Sequence, residues 1–434
     1  MKQRFFDLSD LLFGQLKGKE TLLCNFGGER SDFVRFNQGK VRQAGSVEQS
    51  AITLRLVRGQ RQASATVTGN EIEDLKSILV RLREIVEGLP EDPWLLINEE
   101  PQSSASERRG SLAPAQSVVD SVTGKAKGHD LVGFYAGGTI YRGFANSLGQ
   151  RNWHEVDSFN FDWSLYRDGD RAVKTSYAGF EWEEGIFAEK LAAATEQLAL
   201  LGKARKQILP GEYRAYLAPR ALDELVGLLS WGGFSARAHA TKQSPLLRMQ
   251  EGQRLSPKIN FFERTEEGLA PGFQSEGFVK PPVVTLIEEG ELKETLVSPR
   301  SAKEYGLATN AANGAEAPEA LDLDCGDLID ADVLGALDTG LYISNLWYLN
   351  FSDRPAGRIT GMTRFATFWL EHGRMAAPVG PMRFDDSIYR ILGENLLDLT
   401  RDRELLLDPS TYESRSTSSA RLPGALLKSL RFTL

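Results

Sequence analysis

Hydrophobic and polar positions alternate along the first 70 residues, and the alternation marks strands. "ETLLCNFG", "SDFVRFNQGKVRQAG", "QSAITLRLVRG" and "QRQASATVTG" are short β-prone runs. Gly-Gly, Asn-Gln-Gly and Arg-Gly punctuate them and predict turns. The period then changes. In "NEIEDLKSILVRLREIVEGL" the apolar positions Ile72, Leu75, Ile78, Leu79, Leu82, Ile85 and Val86 recur at three- and four-residue steps, which lines one helical face. Asn70 is the expected N-cap and Gly88 the expected stop. An antiparallel sheet covered by this helix is the simplest arrangement.

Residues 90–112 are rich in Pro, Ser and charge, which predicts a surface connection, mobile around Gln102 to Gly110. A helix from about Ala113 to Lys125 follows. Residues 131–182 alternate again, with Gly-Gly, Asn-Ser-Leu-Gly and Asp-Gly-Asp as turns, and predict a β-meander of about four strands. Ile186 to Lys206 reads as a helix rich in Ala and Leu. "GEYRAYL" reads as a strand, and "PRALDELVGLLSWGG" as a helix with proline in its first turn. A boundary near Leu209-Pro210 separates residues 1–208, an N-terminal α/β domain, from residues 209–434, where strands dominate. Within the latter, a hairpin turning at Glu288-Glu289-Gly290 precedes a short helix, and "GLYISNLWYLNF" is strongly β. The expected class is therefore α+β, and no repeat of 20 to 50 residues points to a solenoid.

Composition changes this picture little. Of the 434 residues, 41% are apolar and 25% charged, ordinary for a soluble globular protein with a large core. The formal net charge of −8 disfavours direct nucleic-acid binding, which needs clustered Lys and Arg. The nearest basic stretch, Arg55 to Gln62, reads as solvated strand faces around a turn. No apolar run approaches the roughly 18 residues of a membrane span, and the start lacks the pattern of a signal peptide. Cys24 and Cys325 lie far apart and are expected to be reduced thiols in a cytoplasmic protein.

The candidate chemistry is sparse. The histidines are His129, His154, His239 and His372, and no two lie within one helical turn. A zincin-type site needs two imidazoles that close, with a Glu to activate water. "WHEVDSF" and "LEHG" each offer a lone His beside Glu, and neither supplies a second. Cys24 sits in an apolar strand run and reads as a core residue. Cys325 sits among carboxylates, which oppose thiolate formation. Ser147 in "NSLGQR" has no evident base. "GFYAGG" lies between strands instead of opening a helix, so no helix N-terminus would face a phosphate. The acidic run "EAPEALDLDCGDLIDADV" lacks the spacing of a calcium loop and reads as a solvated face.

One region remains. "NLWYLNFSDRPAGRITGMTRFATFWLEHG" concentrates aromatics with arginines and threonines. A buried sheet with a glycine-rich loop explains it, and so does a strand edge and pocket that hold an extended peptide. For the second reading the candidate residues are Asn345, Trp347, Arg358, Thr360, Thr363 and Arg364. At the end of this stretch, His372-Gly373 falls where a two-residue hairpin needs positive φ, so Glu371-His372 is expected in a turn, with Met375 to Val379 returning as the partner strand.

The ordered set "DFVRFNQGKVRQAGSVEQSAITLRLVRGQRQASATVTG", "ANSLGQ", "GEYRAYLAPRALDELVGLLSWGGFSARA" and "GLYISNLW…GRITGMTRFATFWLEHGRMAAPV" resembles the TldD/PmbA family over nearly the whole chain. The resemblance implies an α/β N-terminal domain, a largely β C-terminal domain, and a dimeric cytoplasmic peptidase system. In the TldD branch a His-Glu-x-x-x-His helix and a later Cys bind zinc. The PmbA branch, also called TldE, lacks them. Here the helix from Pro219 and the following segment occupy the region where that motif would be sought, and only His239 is there. The resemblance is thus to the PmbA/TldE branch. It implies no catalytic residue and no cofactor in this chain, with zinc expected only in a TldD-like partner. The expected function is a non-catalytic subunit that pairs with such a partner and helps bind unfolded or leader peptides, without contact to nucleic acid or membrane. The alternative is a stand-alone homodimer that binds peptides. Some members are described as modulators of DNA gyrase, a role to which the charge lends no support.

Overall fold

A computed structural model describes residues 1–68 and 71–433. The expected N-cap, Asn70, lies outside the described residues. Helix α1 (Lys2–Phe13), not anticipated from the sequence, leads into a sheet of long strands: β1 (Glu20–Asn37), β2 (Lys40–Arg58), β3 (Arg61–Thr68), β4 (Ser104–Arg108), β5 (Asp130–Asn146), β6 (Arg151–Asp168) and β7 (Arg171–Gly179). The order is β3-β2-β1-β5-β6, and the outer edge of β6 is shared by β4 and β7. Helix α2 (Ile72–Gly88) covers one face with Leu75, Leu79, Leu82 and Val86, while Ile85 is 44% exposed.

Three expectations are corrected here. Gly27-Gly28 and Gly137-Gly138 are not turns; they lie inside β1 and β5, where paired strands continue on both sides. At Gly138 (φ +145) an added Cβ would sit 2.1 Å from the Arg30 carbonyl oxygen, so the glycine there serves close approach of two strands. The expected meander of about four strands is therefore the three long strands β5, β6 and β7. The segment expected to be mobile holds β4, which pairs in parallel with Asn152–Val156 of β6. Its short polar sequence has no apolar period to announce it.

Helices α3 (Ala115–Lys125) and α4 (Glu184–Leu200) pack beside this sheet, and α4 ends six residues before the expected Lys206. Then come β8 (Gly211–Leu217), α5 (Pro219–Gly227), β9 (Phe261–Arg264), β10 (Val283–Glu288), β11 (Glu291–Leu292), β12 (Ala320–Leu323), β13 (Gly340–Asp353), β14 (Arg358–Glu371), β15 (Arg374–Pro378), β16 (Arg383–Ser387), β17 (Leu396–Leu399), β18 (Glu404–Leu407), β19 (Ser419–Leu422) and β20 (Ala425–Phe432). One sheet runs β11-β10-β9-β12-β19-β18. In the other, β13, β8, β20, β16 and β14 pair in a ring that closes through β13–β14. Alternation divides the ring's side chains. Ala215, Leu217, Leu341, Ile343 and Leu427 join a core with α5. Tyr216, Ala366, Phe368, Leu370 and Leu426 join a second core with Phe159, Phe161, Trp163 and Phe187 from the N-terminal half. The fold class is α+β, as expected.

The acidic run is not simply a solvated face. Glu316 is 1% exposed and accepts hydrogen bonds from the Ser298 and Arg237 amides and from the Ser235 and Ser298 hydroxyls. It thereby joins the starts of two short helices, where a carboxylate is favoured. Asp322 is also buried and pairs with Arg403 and Arg264. A polar side chain crosses between the halves as well. Arg415, between β18 and β19, is 5% exposed and donates to the Gly138 and Ser158 carbonyls and to the Ser158 hydroxyl. Burial pulls its guanidinium down to about 10.

Candidate functional site

The candidate peptide-binding residues all lie on the β13–β14 hairpin, but the fold does not gather them into one pocket. Asn345 is buried, and its side-chain oxygen accepts from the Ser344 hydroxyl at 2.8 Å. Thr363 is buried too; its amide donates to the Met382 carbonyl and its Oγ1 accepts from the Met382 amide. These two hold the sheet. Arg358 and Thr360 lie at the far end of the hairpin, opposite Asp353 and Asn350. Arg358 and Arg364, six residues apart on one strand, are separated by roughly 20 Å. Thr360 lies opposite Asp385 of β16 in the sheet register.

Trp347 and Arg364 do meet. Bulges interrupt the register between Ile343 and Asn345 and between Trp347 and Asn350. Tyr348 (φ +57) and Phe365 (φ +57) take left-handed backbone conformations at these irregularities. The result throws two large rings outward: Trp347 is 53% and Tyr348 77% exposed. The Arg364 guanidinium stands 4.9 Å from the Trp347 ring centre and 5.3 Å from that of Phe365. Tyr348, 6.0 Å from Trp347 ring to ring, belongs to this cluster and was not among the expected residues. Only the bulge exposes it, and an aromatic strand sequence carries no signal of a bulge.

The strand edge is also specific. β14 has β13 on one side and, from Arg358 to Met362, β16 on the other, so it offers no free edge there. β13 pairs with β8 only over Leu341–Ile343. Beyond that point, among the described residues, no strand pairs with its outer side.

Glu371-His372 forms the turn the sequence predicts. His372 (φ +52) and Gly373 (φ +70) join β14 to β15. Glu371 accepts from Lys206 Nζ at 2.6 Å and from Trp369 Nε1 at 2.9 Å, and the Lys206 hydrogen bond holds its carboxyl below the usual range. It ties a turn to the chain after α4.

His154 and His239 are committed separately. His154 is buried, with Nε2 donating to the Leu269 carbonyl at 2.9 Å and Nδ1 2.7 Å from the Ser106 hydroxyl. Burial, with the cations Arg142, Lys280 and Arg108 nearby, pushes its pKa down to about 4. His239 Nε2 meets the Gly233 carbonyl and the Ser244 hydroxyl. Among the described residues no group of three His, Cys, Asp or Glu side chains is placed to hold a metal ion. Cys24 is fully buried, which drives its thiol to about 12; Cys325 is exposed. No helix among the described residues is long and apolar enough to cross a membrane.

A closed strand ring carrying a helix at its first connection, joined to a long-stranded sheet, defines an α+β protein. Residues 210–434, just over half of the chain, match the model of the PmbA/TldA metallopeptidase C-terminal domain. The chain belongs to the TldD/PmbA family. Three solved structures share the fold. A protein titled a candidate modulator of DNA gyrase from Thermotoga maritima has TM-score 0.81 at 15% identity, with 99% of this chain and 100% of that one covered. One of the same description from Bacteroides thetaiotaomicron has TM-score 0.77 at 14% identity, covering 100% and 98%. TldE from Thermococcus kodakarensis has TM-score 0.78 at 15% identity, covering 99% and 100%. No curated protein matches the chain.

Proposed function

We propose that this chain is the non-metal subunit of a TldD-type cytoplasmic metallopeptidase, pairing with a metal-bearing relative and helping to hold unfolded or leader peptides. The disposition of its histidines carries this reading. His154 and His239 spend ring nitrogens on backbone carbonyls, and His372 is a turn residue. Among the described residues no cluster of His, Cys, Asp and Glu supports a catalytic zinc, and on this reading the hydrolytic step belongs to the partner. The peptide role rests on the outer edge of β13 beyond Ile343 together with the Trp347–Tyr348–Arg364 cluster beside it. An extended peptide added to that edge would gain main-chain hydrogen bonds, and the exposed rings would take its side chains.

The test is reconstitution. The purified chain is mixed with a metal-bearing TldD-like protein from the same genome, and complex formation and peptide turnover are measured. The expected result is a stable complex whose turnover of an unfolded peptide exceeds that of the partner alone. The double variant Trp347→Ala/Arg364→Ala should raise KM about tenfold, as expected when an aromatic anchor at an interface is lost. One zinc per chain with peptidase activity in the absence of any partner refutes the proposal. Peptide binding by a self-dimer that no relative activates would replace it with a stand-alone binding protein.

A further inference from the structure

The β13–β14 hairpin is positively charged on a negatively charged chain. Between Ser344 and Arg364 stand three arginines, Arg354, Arg358 and Arg364, and a single carboxylate, Asp353, whereas the whole chain has a net charge of −8. None of the three guanidiniums forms an ion pair among the described residues. Asp353 lies opposite Arg358 in the register and accepts the Ala356 amide at 3.2 Å. On the neighbouring strand Arg383 and Asp385 pair with each other at 3.0 Å and cancel. The positive charge that remains is held on rings: Arg354 stands 5.3 Å from the Phe351 ring centre, and Arg364 lies against Trp347 and Phe365.

This arrangement leaves Arg364 ready for an anion. A guanidinium that lies on a ring uses its face, and its N–H groups stay free at the edge to hold a carboxylate in a fork. The ring contacts also restrict the side chain beforehand, so less conformational freedom is lost when a carboxylate arrives. Beside it, Trp347 and Tyr348 offer exposed apolar surface, and from Trp347 to Asp353 strand β13 is paired with β14 alone. A nucleic-acid strand would need a row of cations matched to its phosphates. Here Asp353 interrupts the arginines, and the outer side of β13 presents main-chain groups that a peptide strand can pair.

We propose that the hairpin selects extended segments with an acidic side chain two residues from a large apolar one, a selectivity that rests on the peptide-holding reading of the same hairpin. The apolar side chain lies against Trp347 and Tyr348, and the carboxylate meets Arg364. In an added strand, side chains two positions apart share a face at about 7 Å, which suits a ring and a guanidinium 4.9 Å apart. Adjacent side chains would point to opposite faces. Arg364 is thus a specificity-determining residue, and the acidic group is a side chain within the segment.

Fluorescence anisotropy on the full chain tests it with labelled heptapeptides, blocked at both ends and carrying Phe-Thr-Glu, Phe-Thr-Gln or Phe-Thr-Lys at the centre. The Glu peptide should bind about fivefold tighter than the Gln peptide at low salt, with the Lys peptide weakest, and the margin should shrink at high salt, which screens exposed charges. Arg364→Gln should remove the margin while the Gln peptide keeps its affinity within about twofold, and Arg364→Glu should invert the order in favour of the Lys peptide. Arg364 makes no hydrogen bond among the described residues, so both variants fold, which a thermal melt verifies. Trp347→Ala should weaken all three peptides alike. Equal binding of the three peptides that still depends on Trp347 overturns the charge preference and leaves the hairpin as a peptide site. No binding, or binding indifferent to Trp347→Ala, overturns both. A Gln peptide with a free C-terminal carboxylate that binds as tightly as the blocked Glu peptide identifies a reader of chain ends, and oligothymidylate that displaces the peptides through Arg364 identifies a nucleic-acid surface; either result overturns the proposal.

Discussion

His154 makes the acid stability of this protein a quantitative test of its structure. The ring is buried between β4 and the Leu269 segment, neutral, with the Nε2 proton on the Leu269 carbonyl. Its pKa is about 4 in the folded chain against an ordinary 6.5. A histidine with a depressed folded pKa is protonated first in the unfolded chain. Its contribution is therefore fully present above pH 6.5 and is lost as the pH falls toward 4. Each unit is worth about 1.4 kcal/mol, so at pH 4.5 the unfolded chain has gained about 2.5 kcal/mol of protonation energy that the folded chain has not. Urea unfolding at pH 7 and 4.5 measures the loss. His154→Gln keeps an amide donor for Leu269 and an oxygen toward Ser106 but does not titrate. Other groups titrate equally in both proteins, so the variant should lose about 2.5 kcal/mol less than the parent over this interval. Equal losses would refute the burial argument and reopen His154 as a group free to charge or to bind a metal.

Further outcomes follow from the same accounting. Glu20 is buried at the start of β1; burial pushes its carboxyl up, but Arg83, the Lys17 amide and Arg58 outweigh that and bring it down to about 2. Its contribution, about 3 kcal/mol at pH 7, disappears between about pH 5 and 2, and Glu20→Gln should unfold with a flatter pH dependence there. Arg415→Met leaves the Gly138 and Ser158 carbonyls without their donor and should cost about 3 kcal/mol in urea unfolding, with faster proteolysis between β18 and β19. Glu316→Ala removes the carboxylate shared by two helix starts and should cost about 3 kcal/mol, whereas Glu316→Gln, which keeps one acceptor oxygen, should cost less.

What the sequence disclosed, and what it hid, divides along physical lines. Period and punctuation are local, so α2, α5 and the His372-Gly373 turn could be read directly; each depends on residues within a few positions of one another. Gly27-Gly28 and Gly137-Gly138 misled because a glycine pair serves a turn and a close strand approach equally well. Only the partner strand, more than a hundred residues away, decides between them. The candidate site failed in the same manner. Alternation correctly placed Trp347 and Arg364 on one sheet, but the bulges at Ile343 and Trp347 shift register, and a one-residue shift exchanges buried and exposed faces. Asn345 and Thr363 thus turned inward while Tyr348 turned out.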